Sequence, residues 1–190
     1  MSFLSPQELA AVGFESVGEN VLISRKASIY GASRISISRN VRIDDFVVLS
    51  AGEGGISIGK HVHIAIMASM IGAGRIEMGD YSTLSGKVSI YSSSDDFSGS
   101  AMTNPTVPSE FTNVTNLPVT IGRHVIVGSG SVILPGAHVG NGSAVGAMSL
   151  VKGKLEEGGI YSGIPAVRVR DRATDIYALE EKLNDRVSQS

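Results

Sequence analysis

Four histidines and the two aspartates that open a long Pro- and Gly-containing stretch are the residues of this 190-residue chain that we single out for proton transfer. The histidines are His61, His63, His124 and His138, and the aspartates are Asp95 and Asp96. Histidine has an unperturbed pKa of about 6.5 and can act as a general base at neutral pH, whereas a carboxylate with a pKa of about 4 is a poor base for a hydroxyl group. The chain contains no cysteine, which excludes thiolate chemistry and a disulfide framework. Which of these side chains could act together depends on the fold.

An aliphatic residue recurs every six positions along most of the chain. In the least interrupted stretch, 119–151, the aliphatic anchors are Ile121, Val127, Ile133, Val139, Val145 and Val151. A period of six fits neither an α-helix nor a long flat strand, and it is typical of a parallel β-helix. The same frame extends back to Val17 and predicts six coils of three hexads each. The anchor and the residue two before it are expected to point inward, and the residue between them outward.

Every interruption of the frame falls after the third hexad of a coil. The count assigns the extra residues to positions 35–36, 55–57 and 76–77, and the longest interruption to Asp96–Thr120. All insertions should therefore lie at one corner of a triangular coil. A loop as long as Asp96–Thr120 in a compact repeat is usually functional.

The two ends of the solenoid need caps, and both termini contain helix patterns. Ser5-Pro6-Gln7-Glu8 has the residues of a helix start. Near the other end, apolar residues at helical spacing predict a C-terminal helix, and these are Ile176, Leu179, Leu183 and Val187. The predicted organisation is a helical cap at 1–16, a β-helix at 17–155 and a C-terminal segment with its helix at 156–190.

Within this frame His63 is the histidine best placed for chemistry. It lies between inward-pointing Val62 and Ile64, so its side chain should point outward from a flat side. His61 and His124 occupy equivalent corner positions two coils apart and are expected to be solvated turn residues. His138 should lie beside the corner from which the long loop departs.

Charge and hydropathy exclude several classes of partner. The net charge is −2 and the isoelectric point is about 6.1, so the chain lacks the basic footprint of a nucleic-acid or anionic-membrane binder. No stretch approaches the roughly 18 apolar residues of a membrane span, and the N-terminus lacks the pattern of a signal peptide. We therefore expect a cytoplasmic protein.

The hexad frame, the long loop and the ending Gly158–Arg170, which includes Gly163-Ile164-Pro165-Ala166, together resemble the hexapeptide-repeat acyltransferases. The most similar branch comprises the galactoside, maltose and xenobiotic O-acetyltransferases and the sugar acetyltransferases of bacterial surface-polysaccharide clusters. The resemblance implies an all-β, left-handed parallel β-helix that forms a cytoplasmic homotrimer. It also implies that acetyl-CoA binds between neighbouring solenoids, and that a base assists direct attack of a sugar hydroxyl or amine on the thioester. No metal is implied.

The chain departs from this family at the catalytic position. In the relatives a histidine opens the long loop, after a stretch that matches 88–94, whereas this chain has Asp95 there, followed by Asp96. We hypothesise that His63 replaces that histidine as the base, with Asp95 or Asp96 orienting it or stabilising its charge. Ala65 matches an active-site asparagine of the family, which places His63 two residues from a site position. The alternative is that the Ser/Asp cluster at 93–96 is only a turn that begins the loop.

The resemblance also implies a coenzyme site along coils five and six. Ser129, Ala147 and the turn at Lys152 match the positions that contact the pantetheine arm, and Met148 stands where the family usually has glycine. Arg170 matches a ligand of the CoA phosphates. The family usually has a basic residue at the position of Val167. The neighbouring Arg168 can supply the missing positive charge, because cations pair well with phosphate.

Two alternatives to an acetyltransferase stay open at this stage. A non-catalytic structural solenoid is one alternative, and a metal-dependent lyase of the γ-carbonic-anhydrase type is a weaker one, since His61 and His63 should point in different directions. The acceptor sugar, and the choice between O- and N-acetylation, do not follow from the sequence. Outward-facing apolar residues favour a homotrimer independently of the family, and these are Val48, Ile126, Val132 and Leu150.

Overall fold

The computed structural model describes residues 2–188, which form a parallel β-solenoid with three flat sides. Side one consists of β1 (Ser16–Val17), β4 (Ile35–Ile37), β7 (Ile56–Ile58), β10 (Ile76–Met78), β15 (Val119–Ile121), β18 (His138–Val139) and β21 (Lys154–Leu155). Side two consists of β2 (Leu22–Ile23), β5 (Arg42–Ile43), β8 (His63–Ile64), β11 (Thr83–Leu84), β16 (Ile126–Val127), β19 (Ala144–Val145) and β22 (Gly159–Ser162). Side three consists of β3 (Ser28–Tyr30), β6 (Val48–Ala51), β9 (Ser69–Gly72), β12 (Ser89–Tyr91), β17 (Val132–Ile133) and β20 (Leu150–Val151). The predicted all-β solenoid is confirmed, with six complete coils and a partial seventh that extends it to Ser162.

The hexad anchors form the core of the solenoid. All anchors from Ile23 onward are buried except Ile29, which is half-buried like Val17 in the first coil. The positions two before the anchors share the interior, as Val41, Val62 and Val125 show. Because each coil hydrogen-bonds to the next in parallel register, the core is a continuous stack of aliphatic layers, each about 4.8 Å above the last.

The insertions lie at one corner, as predicted, but the residues assigned to them are different. Ile35, Ile56 and Ile76 were counted as extra residues, yet they are buried strand residues in register with one another on side one. The added length lies just before them, in the corner that joins side three to side one. In the first coil this corner holds the 3₁₀ turn Ala32–Arg34.

The long loop leaves the solenoid at the same corner after the fourth coil. Its base is an antiparallel pair formed by β13 (Ser93–Ser94) and β14 (Thr115–Asn116), and a 3₁₀ turn covers Ser109–Phe111. Val119 and Thr120, which the count placed in the loop, belong to β15 on side one. The long loop therefore begins and ends at one edge of the solenoid.

The N-terminal helix caps the first coil as the sequence predicts. Helix α1 (Pro6–Ala11) begins with a capping box in which the Ser5 hydroxyl accepts from the backbone N–H of Glu8 and the Glu8 carboxylate accepts from the backbone N–H of Ser5. Leu9 and Phe14 pack against the core. This covers apolar surface that an open first coil would expose to water.

The C-terminal helix does not cover the opposite end. The last coil is instead extended by β23 (Val167–Asp171), which pairs antiparallel with β22. Helix α2 (Asp175–Ser188) lies along the corner between sides one and two, where Tyr177 contacts His124 and Asn184 bonds to Tyr81. The predicted apolar face is not buried, since Leu179 and Leu183 are exposed, and the side chain of Val187 lies outside the described residues. No helix in residues 2–188 is long and apolar enough to span a membrane.

Candidate active site

His63 projects outward from side two and is paired with a buried carboxylate. Its Nε2 lies 2.9 Å from Oδ2 of Asp44, and Nε of Arg42 donates to Oδ1 of the same carboxylate at 2.7 Å. Parallel register places Arg42 directly beside His63 in the preceding coil. Asp44 is buried, whereas the His63 and Arg42 side chains are partly exposed. The arrangement fixes the imidazole ring while leaving one edge open to a ligand.

Hydrogen bonds from Arg42 and His63 favour the ionised form of Asp44. Burial raises the pKa of this carboxyl, but the hydrogen bonds from Arg42 and His63 outweigh that effect, so its pKa lies below the usual value. An ionised Asp44 favours a ring with its proton on the nitrogen that faces the carboxylate. His63 therefore has the partner that an orienting carboxylate provides in a base-carboxylate pair, and that partner is Asp44.

Asp44 belongs to a column of corner residues that follows the strands of side two. The backbone N–H of Asp44 donates to the carbonyl of Ile64, that of Ala65 to Leu84, and that of Ser85 to Val127. Asp44, Ala65 and Ser85 therefore occupy equivalent positions in successive coils, about 4.8 Å apart. Ala65, the position singled out in the sequence, lies between a buried carboxylate and a half-buried serine hydroxyl.

Asp95 is exposed at the mouth of the long loop, beside a pocket of about 300 Å³. The pocket is lined by Tyr91, Ser93, Ser94, Asp95, Phe97, Val132, Leu134 and Pro135. Strand β12 and the β13–β14 pair hold the start of the loop against β17, which positions Asp95 at the pocket. The lining combines one carboxylate, two serines and a tyrosine with four apolar residues.

Asp96 has a different environment from its neighbour. Its carboxylate accepts from the backbone N–H groups of Ser98 and Ala101, each at 2.9 Å, and from the hydroxyls of Ser98 and Ser100. These bonds, the backbone N–H of Ser98 foremost, lower the pKa of Asp96 to about 2. Asp96 thus lies in a turn that starts the loop, which is the alternative left open by the sequence. A carboxylate with so low a pKa is a very weak base.

His63 and Asp95 do not meet within one chain. His63 points outward from side two, whereas Asp95 follows side three at the next corner of the coil. The carboxylate that contacts His63 is Asp44, so the expected orientation of His63 by Asp95 or Asp96 is not seen in the single subunit.

His61 and His124 were expected to be solvated, and for His124 this is wrong. Both have left-handed backbone conformations at the corner between sides one and two, and their rings stack on opposite faces of Tyr81 with centroid distances of 4.9 Å. The His124 ring also lies 2.5 Å from the Glu180 carboxylate of helix α2, and its side chain is almost fully covered. These two histidines form part of the attachment site of the helix.

The residues expected to bind the coenzyme lie in two places. Ser129 and Ala147 follow side two in coils five and six, where the backbone packs so closely that a Cβ on Gly128 would clash with the backbone of Ala147. Met148, which is 70% exposed, folds its sulfur over Gly130. The Met148 side chain thus covers part of the expected pantetheine groove, at a position where the family usually has glycine.

The three basic residues differ in their freedom to reach a phosphate. Lys152 is exposed after β20, and Arg170 is exposed on β23. Arg168 donates to the Tyr161 hydroxyl at 3.1 Å and to Asp171 at 2.9 Å, and these bonds raise the pKa of its guanidinium further. Arg168 therefore stabilises the β22–β23 pair in this structure.

A metal site is not evident in the part of the chain that the structure describes. Residues 2–188 contain no group of three His, Cys, Asp or Glu side chains arranged to hold a metal ion. His61 and His63 point to different surroundings, one into the ring stack with Tyr81 and the other towards Asp44.

Comparison with known proteins identifies similar transferases. The family described as bacterial transferase hexapeptide (six repeats) matches residues 118–153. The dTDP-4-amino-4,6-dideoxy-D-glucose acyltransferase of Escherichia coli is 50% identical over 95% of this chain and 94% of its own length. A putative lipopolysaccharide biosynthesis O-acetyl transferase of Escherichia coli K12, WbbJ, is 28% identical over 81% of this chain and 70% of its own length.

The solved structures include AntD, an N-acyltransferase from Bacillus cereus, in complex with dTDP and 3-hydroxybutyryl-CoA. It superposes with a TM-score of 0.94 at 44% identity and covers 98% of each chain. AntD has also been crystallised as variants in which a serine, or an aspartate ten positions further on, is replaced, in complexes with CoA and either dTDP or dTDP-4-amino-4,6-dideoxyglucose.

Two candidate site residues, Asp44 and Ser85, were not predicted from the sequence. Asp44 could have been found, because the repeat frame places Arg42 beside His63 and Asp44 only two residues further on. Ser85 carries no local signal of its own, since it is one of many small corner residues. Its interest comes from the spacing in AntD, because Ser85 and Asp95 of this chain are also ten positions apart.

Proposed function

The chain belongs to the hexapeptide-repeat sugar acyltransferases, and on that premise we propose that it transfers an acyl group from acetyl-CoA, or a related acyl-CoA, to the amine of a nucleotide-linked 4-amino-4,6-dideoxy sugar. Support comes from the Escherichia coli relative, which is named for this acceptor, and from AntD, which binds it. Both relatives match nearly the whole chain. The proposed setting is the cytoplasm, where nucleotide sugars serve as precursors of surface polysaccharides.

The observation that carries N-acylation is the carboxylate of Asp95 where O-acetylating relatives have a histidine. A hydroxyl must lose its proton to a base as it attacks, and a carboxylate with an ordinary pKa of about 4 does this poorly. An amine needs no such activation, because its neutral form already has a nucleophilic lone pair. A carboxylate can instead accept a hydrogen bond from the neutral amine and then take one proton from the nitrogen, which becomes positively charged as the C–N bond forms.

The proposed reaction is a direct transfer. The amine nitrogen attacks the thioester carbon, a C–N bond forms, and the carbonyl oxygen becomes an oxyanion. The tetrahedral intermediate then breaks its C–S bond and releases CoA as thiolate. The proton lost from nitrogen passes to Asp95 and finally to the departing sulfur, so that the products are the amide and the CoA thiol.

Ser85 is the second residue that we assign to the acceptor side. Its position ten residues before Asp95 matches the spacing of the replaced serine and aspartate of AntD. Ser85 is half-buried at the corner between sides two and three, where its hydroxyl can donate to the acceptor or to the developing oxyanion.

His63 is the competing candidate for the base. The buried Asp44 orients its ring, as an activating carboxylate would, and the exposed edge of the ring can reach a ligand. For the coenzyme, we propose that Ser129 and Ala147 line the pantetheine groove and that Lys152 and Arg170 contact the CoA phosphates. Arg168 is assigned to positioning β23, which carries Arg170.

A matched pair of acceptors tests the proposed function. Purified enzyme is given acetyl-CoA with dTDP-4-amino-4,6-dideoxyglucose or with dTDP-6-deoxyglucose, which has a hydroxyl at the same carbon, and release of the CoA thiol is followed. We expect transfer to the amine with a kcat/KM at least about 100-fold higher, the scale that one general base contributes. Comparable transfer to the 4-hydroxyl would contradict N-acylation and would favour an O-acetyltransferase like WbbJ.

A further inference from the structure

The pocket beside Asp95 has an apolar wall that the transfer reaction does not explain. Val132 and Leu134 lie on side three in coil five, Pro135 follows them, and Tyr91 lies at the end of the neighbouring strand β12. Phe97, at the rim, is 94% exposed. Large apolar groups gathered around one carboxylate are costly to leave in water, so this wall is suited to a ligand with apolar surface.

The chemistry of the proposed acceptor places an apolar group next to its amine. In a 4-amino-4,6-dideoxy sugar the methyl carbon C6 is three bonds from the amine nitrogen, which limits their separation to about 3–4 Å. A protein group that binds the amine must therefore lie close to whatever surrounds the methyl group. Asp95 and the apolar wall line the same pocket.

We infer that this pocket holds the C6 methyl group of the acceptor, and that Val132, Leu134 and Pro135 make the enzyme selective for 6-deoxy sugars. The inference rests on the proposed function, because Asp95 must face the 4-amine for C6 to enter the pocket. The volume of about 300 Å³ is at the lower end of the range for ligand sites, as expected for one sugar ring.

The lining also favours a sugar over the acyl chain of the donor. Ser93 and Ser94 line the pocket together with Asp95 and the aliphatic side chains, so its lining is part polar and part apolar. A pyranose ring with one methyl group presents both kinds of surface, whereas an acetyl group or longer acyl chain presents chiefly an apolar one. Whether the pocket holds the sugar or the acyl chain can therefore be tested by experiment.

The test compares two acceptors in three proteins. The acceptors are dTDP-4-amino-4,6-dideoxyglucose and the analogue with a hydroxyl at C6, and the proteins are the unmodified enzyme, Val132→Thr and Val48→Thr. Threonine nearly preserves the shape of valine and suits a strand, so the exchange adds mainly polarity. Val48 is the matched control, because it lies in the same outward column of side three, three coils away and outside the pocket. Since both valines are also candidates for a subunit contact, light scattering after size exclusion checks that all three proteins have the same mass.

We expect the unmodified enzyme to prefer the 6-deoxy acceptor by about 100-fold in kcat/KM, the discrimination that an apolar pocket achieves against an added hydroxyl. Val132→Thr should reduce that ratio to about 10-fold or less, chiefly by lowering kcat/KM for the 6-deoxy acceptor, and Val48→Thr should leave the ratio unchanged. The KM for acetyl-CoA should be the same in all three proteins.

Two results would overturn the inference while leaving the proposed function intact. One is equal use of the two amino sugars by the unmodified enzyme. The other is a Val132→Thr enzyme that keeps its sugar preference but changes its preference between acetyl-CoA and 3-hydroxybutyryl-CoA, which would assign the pocket to the acyl chain. Failure of the unmodified enzyme to acylate either amino sugar would reject both proposals together.

Discussion

At the scale of single residues, the site differs from a histidine-based acetyltransferase in two connected ways. The loop begins with Asp95 where a base histidine is expected, and the one outward histidine of side two, His63, is held by buried Asp44. The sequence identified both His63 and Asp95, but the contact between His63 and Asp44 was not predicted. That contact depends on the alignment between coils, which places Arg42 of the preceding coil beside His63 and Asp44 two residues further on.

Substitution of the two candidates separates their roles. We expect Asp95→Asn to lower kcat for the amino sugar by about 100-fold to 10,000-fold, because the amide cannot accept the proton that the nitrogen loses as the C–N bond forms. His63→Ala should keep kcat within about 10-fold. Steady-state kinetics with acetyl-CoA and dTDP-4-amino-4,6-dideoxyglucose provide the measurement.

The reverse outcome is equally informative. If His63→Ala abolishes turnover while Asp95→Asn remains active, the His63–Asp44 pair is the base and Asp95 only shapes the loop. Asp96→Asn is a useful control, because Asp96 serves the loop turn through its bonds to 98–101. That variant should lose stability of the loop rather than show the pH dependence of a lost base.

At the scale of elements, the strands were predictable and the position of the C-terminal helix was not. Its apolar residues, among them Leu179 and Leu183, suggested a cap, but the side chains that attach it are Tyr177, Glu180 and Asn184. From Tyr177 to Asn184 the helix lies along this corner, in the direction from coil six to coil four. Seven helical residues span about 10.5 Å, close to the rise of two coils, so the helix matches the repeat of the corner that it covers.

Glu180 is the main polar residue that attaches this helix to the solenoid. The stability that its carboxylate contributes should depend on pH. Glu180 is 9% exposed and accepts from Arg123 and His124. Burial raises its pKa, but the hydrogen bond from His124 and the charge of Arg123 outweigh this and lower it. A depressed carboxyl pKa stabilises the fold above the unfolded-state value, about 4.5, and that contribution is lost as the pH falls through the folded-state value.

We therefore expect Glu180→Gln to lower the free energy of unfolding by about 1–3 kcal/mol at pH 7, and the difference from the unmodified protein to shrink towards pH 3. Urea denaturation at a series of pH values measures it. Glu181→Gln, which changes an exposed residue on the same helix, is the control. A deficit that stays constant down to pH 3 would show that the charge of Glu180 contributes nothing.

At the scale of the whole molecule, the three sides of the solenoid have different outer surfaces. The outward column of side one is polar throughout and comprises Ser16, Ser36, Ser57, Glu77, Thr120, His138 and Lys154. Sides two and three carry outward apolar residues, including Ile126, which is 41% exposed, and Val132 and Leu150. The period of six predicted the coils because strand alternation determines which residues are buried. Which side can face a partner subunit depends on the outward column of each side, and these columns are seen only when the coils are stacked.

This difference between the sides leads to a prediction about assembly. If the chain forms a homotrimer, side one should face water and side two should be covered, so Ile126→Lys should disrupt the trimer by burying a charge in an apolar contact. Light scattering after size exclusion should then show a mass near the 19.8 kDa of one chain in place of three times that value. Thr120→Lys, which places the same charge in the polar column of side one, should remain trimeric. A trimer that tolerates lysine at Ile126 but not at Thr120 would reverse the assignment of the two sides.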